Sequence, residues 1–415
     1  MTIPFVDIAI IGGGPGGLAL AQGLRKNDID CRVYERDAIR ADYVQGFRLR
    51  IRQRGIDALK ANLPDHLFEA FLGTVGRAPT ESIVLDETFS PLDNPSWAHE
   101  AEDTHVEKSV SRITLRQILL TGLEDIVETG KQFVRYEVEP EGTVLSLFAD
   151  GSVVRSNILV GTDGAGSLVR KQLLPHVTSI DTGIRRIAGK LTIEAANAHG
   201  ISPLLLDYNA NIRPREGHNL MVTSHRTDPD AYRKFGLFGH DDPTHRDIAG
   251  FHFNNTSSYV WWNTAYEFGE LGPDEHLESL DGQELLQLLL TRISHWDERI
   301  LKLIRHTDPS TVALLKVRSS QPGAEWESGP VTLLGDAIHA MTYFRALGGN
   351  SALYDTGLLV PQLVAARHYG KPIREALRIY EDAMREHGYE AVRSSLTAMQ
   401  NNVAAGRPLK GVVAA

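Results

Sequence analysis

The sequence predicts an α/β protein with an inserted, mainly antiparallel β-sheet and C-terminal helices. Three observations predict it. A β-branched run at residues 6–11 opens onto a glycine-rich turn and then a segment of helical period. Two later apolar strands, ending at Asp163-Gly164 and at Gly335-Asp336, repeat that strand-to-turn-to-helix design. Between these two strands, residues 182–267 include strand-like stretches with apolar–polar alternation, interrupted by Gly, Pro and Asn loops.

The first element is "VDIAII", Val6 to Ile11, followed by "GGGPGGLALAQGLRKN", in which Leu18, Ala21, Gln22 and Leu24 fall at helical spacing. Gly12, Gly14 and Gly17 stand at G-x-G-x-x-G spacing. That spacing serves a tight turn, the approach of backbone N–H groups to a pyrophosphate, and close helix-to-strand packing. Ile29, Cys31 and Val33 alternate into a second strand that ends at Glu35. A carboxylate about 20 residues past the first glycine accepts hydrogen bonds from a ribose. The unit is therefore Rossmann-like, and an acid at position 35 suits an adenosine with a free 2′-hydroxyl, so FAD or NAD.

The second and third elements are "ILVGTDGAGSLVRKQL" and "GPVTLLGDAIHA", each an apolar strand that delivers an acid to its carboxyl end. Gly348, Gly349 and Asn350 open the helix after the third. In α/β sheets anionic ligands collect at these strand ends and at the helix N-termini that follow. The insertion is carried by "IRRIAGKLTIE", "GHNLMVTSH" and "SSYVWWNTAYE", and two long amphipathic stretches, residues 281–307 and 372–396, read as helices.

Bulk properties bound the function. A chain of 415 residues holds two or three domains, which can interleave. Its net charge of −10 argues against a protein that coats nucleic acid or an anionic membrane. The single cysteine, Cys31, forms no intramolecular disulfide and no cysteine-rich zinc site. With neither a basic leader nor an uninterrupted apolar span, a cytoplasmic protein without metal is expected.

The three motifs in this order resemble the single-component FAD-dependent aromatic-type monooxygenases with the para-hydroxybenzoate hydroxylase fold, and "QGFRLRIRQRGIDALKANLP" and "VSRITLRQILL" resemble further stretches of the same enzymes. The resemblance implies a Rossmann-like FAD-binding domain in three parts, residues 1–75, 106–180 and 276–370. It also implies a substrate domain from 76–105 and 181–275, and a C-terminal helical segment, 371–415. Gly12, Gly14 and Gly17 would approach the FAD pyrophosphate, Glu35 would hold the ribose, and Arg36 would lie beside the adenine. Arg48 and Arg112 would reach the phosphate and ribityl region, and Asp336 would bind the ribitol. Asp163 and Gly164 are linked in the family with FAD and a transient NADH or NADPH. Gly348, Gly349 and Asn350 would bring backbone donors to the flavin's pyrimidine edge.

The implied reaction is hydroxylase or epoxidase chemistry of the kind found in secondary metabolism. NAD(P)H and O2 would insert one oxygen atom into an aromatic, polycyclic or other electron-rich small molecule through a flavin C4a-hydroperoxide. The protein would be a monomer or homodimer. Arg185, Arg186 and Tyr343 are the candidate catalytic residues. Tyr343 stands where the family usually has proline, and Ala346 where it usually has glycine. A non-catalytic FAD-fold carrier, or a flavin dehydrogenase or reductase without oxygen insertion, is the alternative. A disulfide reductase lacks its cysteine pair here, and the halogenase motif W-x-W-x-I-P does not match "YVWWNTAYE".

Overall fold

A seven-stranded sheet brings the three motifs to one edge. Along the sheet its strands run Val127–Thr129, Cys31–Glu35, Phe5–Ile11, Val153–Gly161, Val144–Phe148 and Phe133–Val138, and Val331–Leu333 also pairs with Val153–Gly161. This computed structural model describes residues 3–37, 48–92, 107–235, 257–323 and 325–403. Residues 45–47 of the first arginine-bearing stretch, residues 93–105 and 236–256 of the expected substrate domain, and residues 404–415 of the C-terminal segment lie outside them. Parallel register sets Ile11 opposite both Tyr34 and Gly161, and Leu333 opposite Gly161. Aligned carboxyl ends therefore place Gly12, Glu35, Asp163 and Gly335 side by side, at the edge where open α/β sheets bind ligands. The Pro15–Lys26 helix buries Leu18, Leu20 and Leu24 against this sheet.

The second sheet has six strands, in the order Ala313–Ser320, Ser179–Thr192, Tyr259–Glu267, Leu220–His225, Asn209–Ile212 and Ser82–Leu85, of which only the last pair is parallel. Side chains alternate across it. Ile187, Trp262, Val222 and Ala210 point into an apolar core shared with Leu285, Leu289, Ile300 and Ile304. Those leucines and isoleucines sit on the helices Gly282–Arg292 and Glu298–Arg305.

The expected division of the chain changes here. Residues 282–305 and the strand Ala313–Ser320 belong with the second sheet, beyond the boundary expected at 275. The apolar stripe of each helix is recognisable in the sequence, but it fits whichever apolar face the chain presents to it. The stretch at 281–307 also breaks into two helices. Asp281 closes a capping box with Glu284, and Asp297 caps the second helix through the Arg299 N–H.

A ribbon of Arg48–Ile51 and Lys108–Ser111 links the two sheets, pairing Ser109 with Gly76, while Arg77 bridges to Arg226 beyond the end of Leu220–His225. The Gly348–Tyr369 and Ile373–Val403 helices pack on each other, and Leu363, Leu377, Tyr380 and Met384 join the first core. Among the described residues no helix is long and apolar enough to cross a membrane.

Candidate cofactor and substrate site

The glycine turn is tight at both ends and open in the middle. Gly12 holds φ +111°, and a Cβ there would meet the Thr162 carbonyl oxygen at 2.5 Å. A Cβ on Gly17 would meet the Gly12 carbonyl oxygen at 2.2 Å. At Gly14 a Cβ would meet no protein atom within 4 Å. The helix that starts there has neither a side-chain cap nor an acid in its first turn. Its first N–H groups have no intrahelical acceptor and carry the positive end of the dipole. Open space, N–H donors and a first helical turn without acids together fit a pyrophosphate.

Glu35 accepts from the Gly13 N–H at 2.5 Å and from the Asp37 N–H at 2.9 Å, which anchors the turn to the end of the second strand. Arg36 pairs with Asp37 at 2.9 Å, with over half of its side chain in solvent.

Gly164, at φ +75°, turns the D-G motif. Asp163 Oδ2 accepts from the Leu168 N–H at 2.7 Å, while its Oδ1 is buried with no hydrogen-bond partner. Burial pushes this carboxyl up, against the hydrogen bonds it accepts from Ser167 and the Val169 and Leu168 backbone. Arg170, on the helix that follows, donates to the Ala337 carbonyl at 2.9 Å and so ties the D-G motif to the G-D motif.

At the G-D motif Gly335 takes φ +65° and presents Asp336 to open space. Protein nevertheless surrounds that carboxyl closely enough for desolvation to raise its pKa, while His339 and Arg112 pull the other way. Asp336 is thus accessible but enclosed, as a wall of an internal cavity would be. Gly348 lies against it, since a Cβ there would be 3.6 Å from Asp336 Oδ1. A Cβ on Gly349 would lie 3.6 Å from the Leu49 side chain. Asn350 uses its side chain as a clamp, accepting from the Arg52 N–H at 2.7 Å and donating to the carbonyls of Arg50 at 2.7 Å and Ala346 at 3.0 Å.

Behind the G-D motif is a cluster that the motifs did not disclose. Asp355 Oδ2 lies 2.7 Å from His339 Nε2 and accepts from the Gly335 N–H at 2.8 Å. Its Oδ1 lies 2.8 Å from His387 Nε2. His339 and Asp355 are fully buried. Burial disfavours the imidazolium, yet the Asp355 charge and hydrogen bond hold the His339 pKa above its ordinary value. Asp355 is held low despite its burial by His339 and by the hydrogen bonds from both histidines. The available signal was one acid among the apolar residues of "NSALYDTGLLV".

The three candidate catalytic residues separate. Arg185, 2% exposed, donates to Asp274 through Nε and Nη2, both at 2.7 Å, and to Asp181 through Nη1 at 2.8 Å. Its charge is committed to these two carboxylates on the core side of the second sheet. Arg186, next in the strand, points to the opposite face. Its guanidinium carbon lies 4.1 Å from the centre of the Tyr343 ring and 5.6 Å from that of Trp261. Burial lowers its pKa, Tyr343 alone opposes the shift, and its buried Nε has no hydrogen-bond partner.

Burial pushes the Tyr343 phenol up to about 12, with Arg186 opposing, so it is neutral at physiological pH. Ala346 closes the Tyr343–Arg345 turn at φ +52°, a left-handed conformation in which glycine carries no steric penalty. Arg48 donates to the Ser224 carbonyl at 3.3 Å, and burial lowers its pKa to about 10. Arg112 opens the Arg112–Leu120 helix close enough to lower the Asp336 pKa. Among the described residues no group of acids, histidines and cysteine could hold a metal ion.

The glycine turn and the two acid-bearing motifs thus share the carboxyl ends of parallel-paired strands in a mixed sheet, and Arg186 of the second sheet reaches Tyr343 beside the G-D motif. The FAD binding domain family matches residues 294–395, and the NAD(P)-binding Rossmann-like domain matches residues 10–40. The chain is 31% identical over 405 residues to a dual O-methyltransferase/FAD-dependent monooxygenase of Cercospora beticola, covering 91% of this chain and 44% of that protein. It spans less than half the length of the first curated relatives it matches, 44%, 44% and 40%. A solved chain from Photorhabdus luminescens, described as an FAD-containing monooxygenase, superposes with a TM-score of 0.79 at 29% identity, over 96% of this chain and 99% of that one. HpxO of Klebsiella pneumoniae, solved with FAD, shares the fold at a TM-score of 0.70 and 23% identity, over 96% of this chain and 89% of that one. The chain contains an FAD binding domain and, over nine-tenths of its length, is similar to FAD-dependent monooxygenases; its cofactor is FAD.

Proposed function

We propose that the protein uses NAD(P)H and O2 to insert one oxygen atom into an aromatic or other electron-rich small molecule. The observation that carries this reading is the stack of Arg186 on Tyr343, an uncompensated cation and a neutral phenol where the second sheet meets the G-D loop. Bound flavin supplies the redox chemistry, taking a hydride from NAD(P)H and activating O2.

The chain's own residues hold and enclose the reactants. Gly12, Gly14 and Gly17 receive the pyrophosphate, Glu35 the adenosine ribose and Asp336 the ribitol, with Arg112 close by. Arg36 lies beside the adenine, and Arg48 approaches the flavin from the ribbon. Asp163 Oδ1, lacking a partner, is free to accept from cofactor or nicotinamide. The first-turn N–H groups of Gly348, Gly349 and Asn350 face the electron-rich edge of the ring. Arg186 attracts an anionic or carbonyl oxygen of the substrate, and Tyr343 donates to substrate or fills the cavity.

Two outcomes test these assignments. Glu35→Ala removes charge-assisted hydrogen bonds worth about 1.5–3 kcal/mol and is expected to weaken FAD affinity by about 10- to 100-fold. Full retention at low FAD would overturn the ribose assignment. Tyr343→Phe deletes the hydroxyl at nearly constant volume and is expected to lower the ratio of product formed to NAD(P)H consumed, with peroxide rising to match. Unchanged coupling leaves packing as its role. If no aromatic compound stimulates NAD(P)H oxidation by the FAD-loaded protein, the monooxygenase reading fails.

A further inference from the structure

The turn that carries Tyr343 is held from outside itself. Thr342 stands at the N-cap position of the Tyr343–Arg345 turn, yet its side chain caps no N–H there. A threonine at such a position ordinarily accepts a hydrogen bond from the turn that follows. This hydroxyl instead reaches Ser395, 53 residues along the chain and near the end of the Ile373–Val403 helix. Thr342 Oγ1 donates to the Ser395 carbonyl at 2.9 Å, Ser395 Oγ donates to the Thr342 carbonyl at 2.5 Å, and the two hydroxyls lie 2.6 Å apart. Both residues are fully buried.

Packing around the pair points the same way. Leu396 and Met399, next along the last helix, join Tyr343 in a small third core, with Ile184 and Ala265 of the second sheet against them. Ala265 is opposite Arg186 in that sheet, and the Arg186 guanidinium stacks on the Tyr343 ring. The turn does not supply this order by itself. It closes on Ala346 in a left-handed conformation, and a residue strained in this way persists only where its surroundings over-determine it. Asn350 holds the Ala346 carbonyl at 3.0 Å on one side, and the Ser320 N–H holds the Ala340 carbonyl at 2.7 Å on the other. Between these two anchors, Ser395 fixes Thr342, the residue directly before the tyrosine.

We infer that Ser395 is a positioning residue: through its reciprocal hydrogen bonds with Thr342, backed by Leu396 and Met399, the end of the last helix sets where the Tyr343 ring lies against Arg186. The chemical use of that placement rests on the oxygen-inserting reading, while the placement itself is independent of turnover. Ser395 acts only through the turn it holds.

The test uses oxidised, FAD-loaded full-length protein labelled with 3-fluorotyrosine and follows its fluorine resonances. The signal lost in Tyr343→Phe assigns Tyr343 among the 12 tyrosines. Ser395→Ala is expected to shift that signal or split it, because the released turn populates more than one position. Thr342→Val removes the same pair from the other side, so it repeats the test should Ser395→Ala disturb folding. The double variant should move the signal no further than either single one, as for two members of one interaction. Thr342→Ser keeps the hydroxyl and should stay close to wild type. Thr397→Ala removes an exposed hydroxyl from the same part of the helix and should leave the signal in place. A pair that only stabilises the fold would lower the unfolding midpoint without moving Tyr343. A signal indifferent to Ser395→Ala and Thr342→Val, one that moves as far in Thr397→Ala, or shifts that add in the double variant overturn the inference. A displaced Tyr343 in a protein that inserts no oxygen overturns the monooxygenase reading and upholds this one. Oxygen insertion with Tyr343 unmoved in both variants overturns this one alone.

Discussion

Asp355→Ala is expected to destabilise the protein by about 3–5 kcal/mol, the usual cost of removing one partner from a buried ion pair. The substitution leaves His339 charged or unpaired in a site with no access to water, strips His387 of its partner, and frees the Gly335 N–H whose bond supports the left-handed turn ahead of Asp336. Urea unfolding of the FAD-free protein measures the loss, and FAD affinity is expected to fall with it. Asp355→Asn keeps the shape and can still accept from Gly335, so it should recover part of the stability. The pH dependence identifies the charge. The folded pKa of His339 lies above its ordinary 6.5, so its contribution is complete below 6.5 and fades as pH rises through the folded value. That of Asp355 lies below its ordinary 3.8, so its contribution is present above 3.8 and fades as pH falls through the folded value. Wild type should therefore lose stability toward alkaline pH more steeply than Asp355→Ala. Parallel profiles would show that the pair is not ionised.

Gly17→Ala should be nearly as severe, for a steric reason. Its Cβ would lie 2.2 Å from the Gly12 carbonyl oxygen and 2.6 Å from Thr162 Oγ1, both held by the strands behind them. Backbone cannot yield as a flexible side chain does, and the cost is expected to be about 3 kcal/mol with loss of FAD. Gly14→Ala separates fold from function. With no protein atom within 4 Å of the added Cβ, it should unfold like wild type, yet it places a methyl group where the pyrophosphate approaches. Melting of the FAD-free proteins and FAD titration give the two readings. Gly14→Ala protein that binds FAD normally would remove the pyrophosphate from this turn.

Much of this was legible in the sequence because it depends on local chemistry. Glycine spacing, the acid closing the second strand and the acids at two strand ends all fall where short-range pattern puts them, and parallel pairing does the rest. Arg185 and Arg186 show where that stops. They are the same residue type in adjacent positions, and only pairing with Tyr259–Glu267 decides which one faces the core. Asp281 announced a helix start, but nothing in the leucines after it named the second sheet as their partner. His339 stands three residues after Asp336 in the sequence. Its actual partner sits on the following helix, and His387 on the helix after that.

That last arrangement has a consequence for how the protein matures. The glycine turn packs on Thr162, at the end of the Val153–Gly161 strand, while the carboxylate behind Asp336 gains its second imidazole only when the Ile373–Val403 helix docks. Contacts of such long sequence separation form late, after the loops between them have closed. The strands around the glycine turn can therefore pair while Asp336 still lacks its backing. Tight cofactor binding is therefore expected to depend on docking of the last helix, although that helix is distant in sequence from the glycine turn.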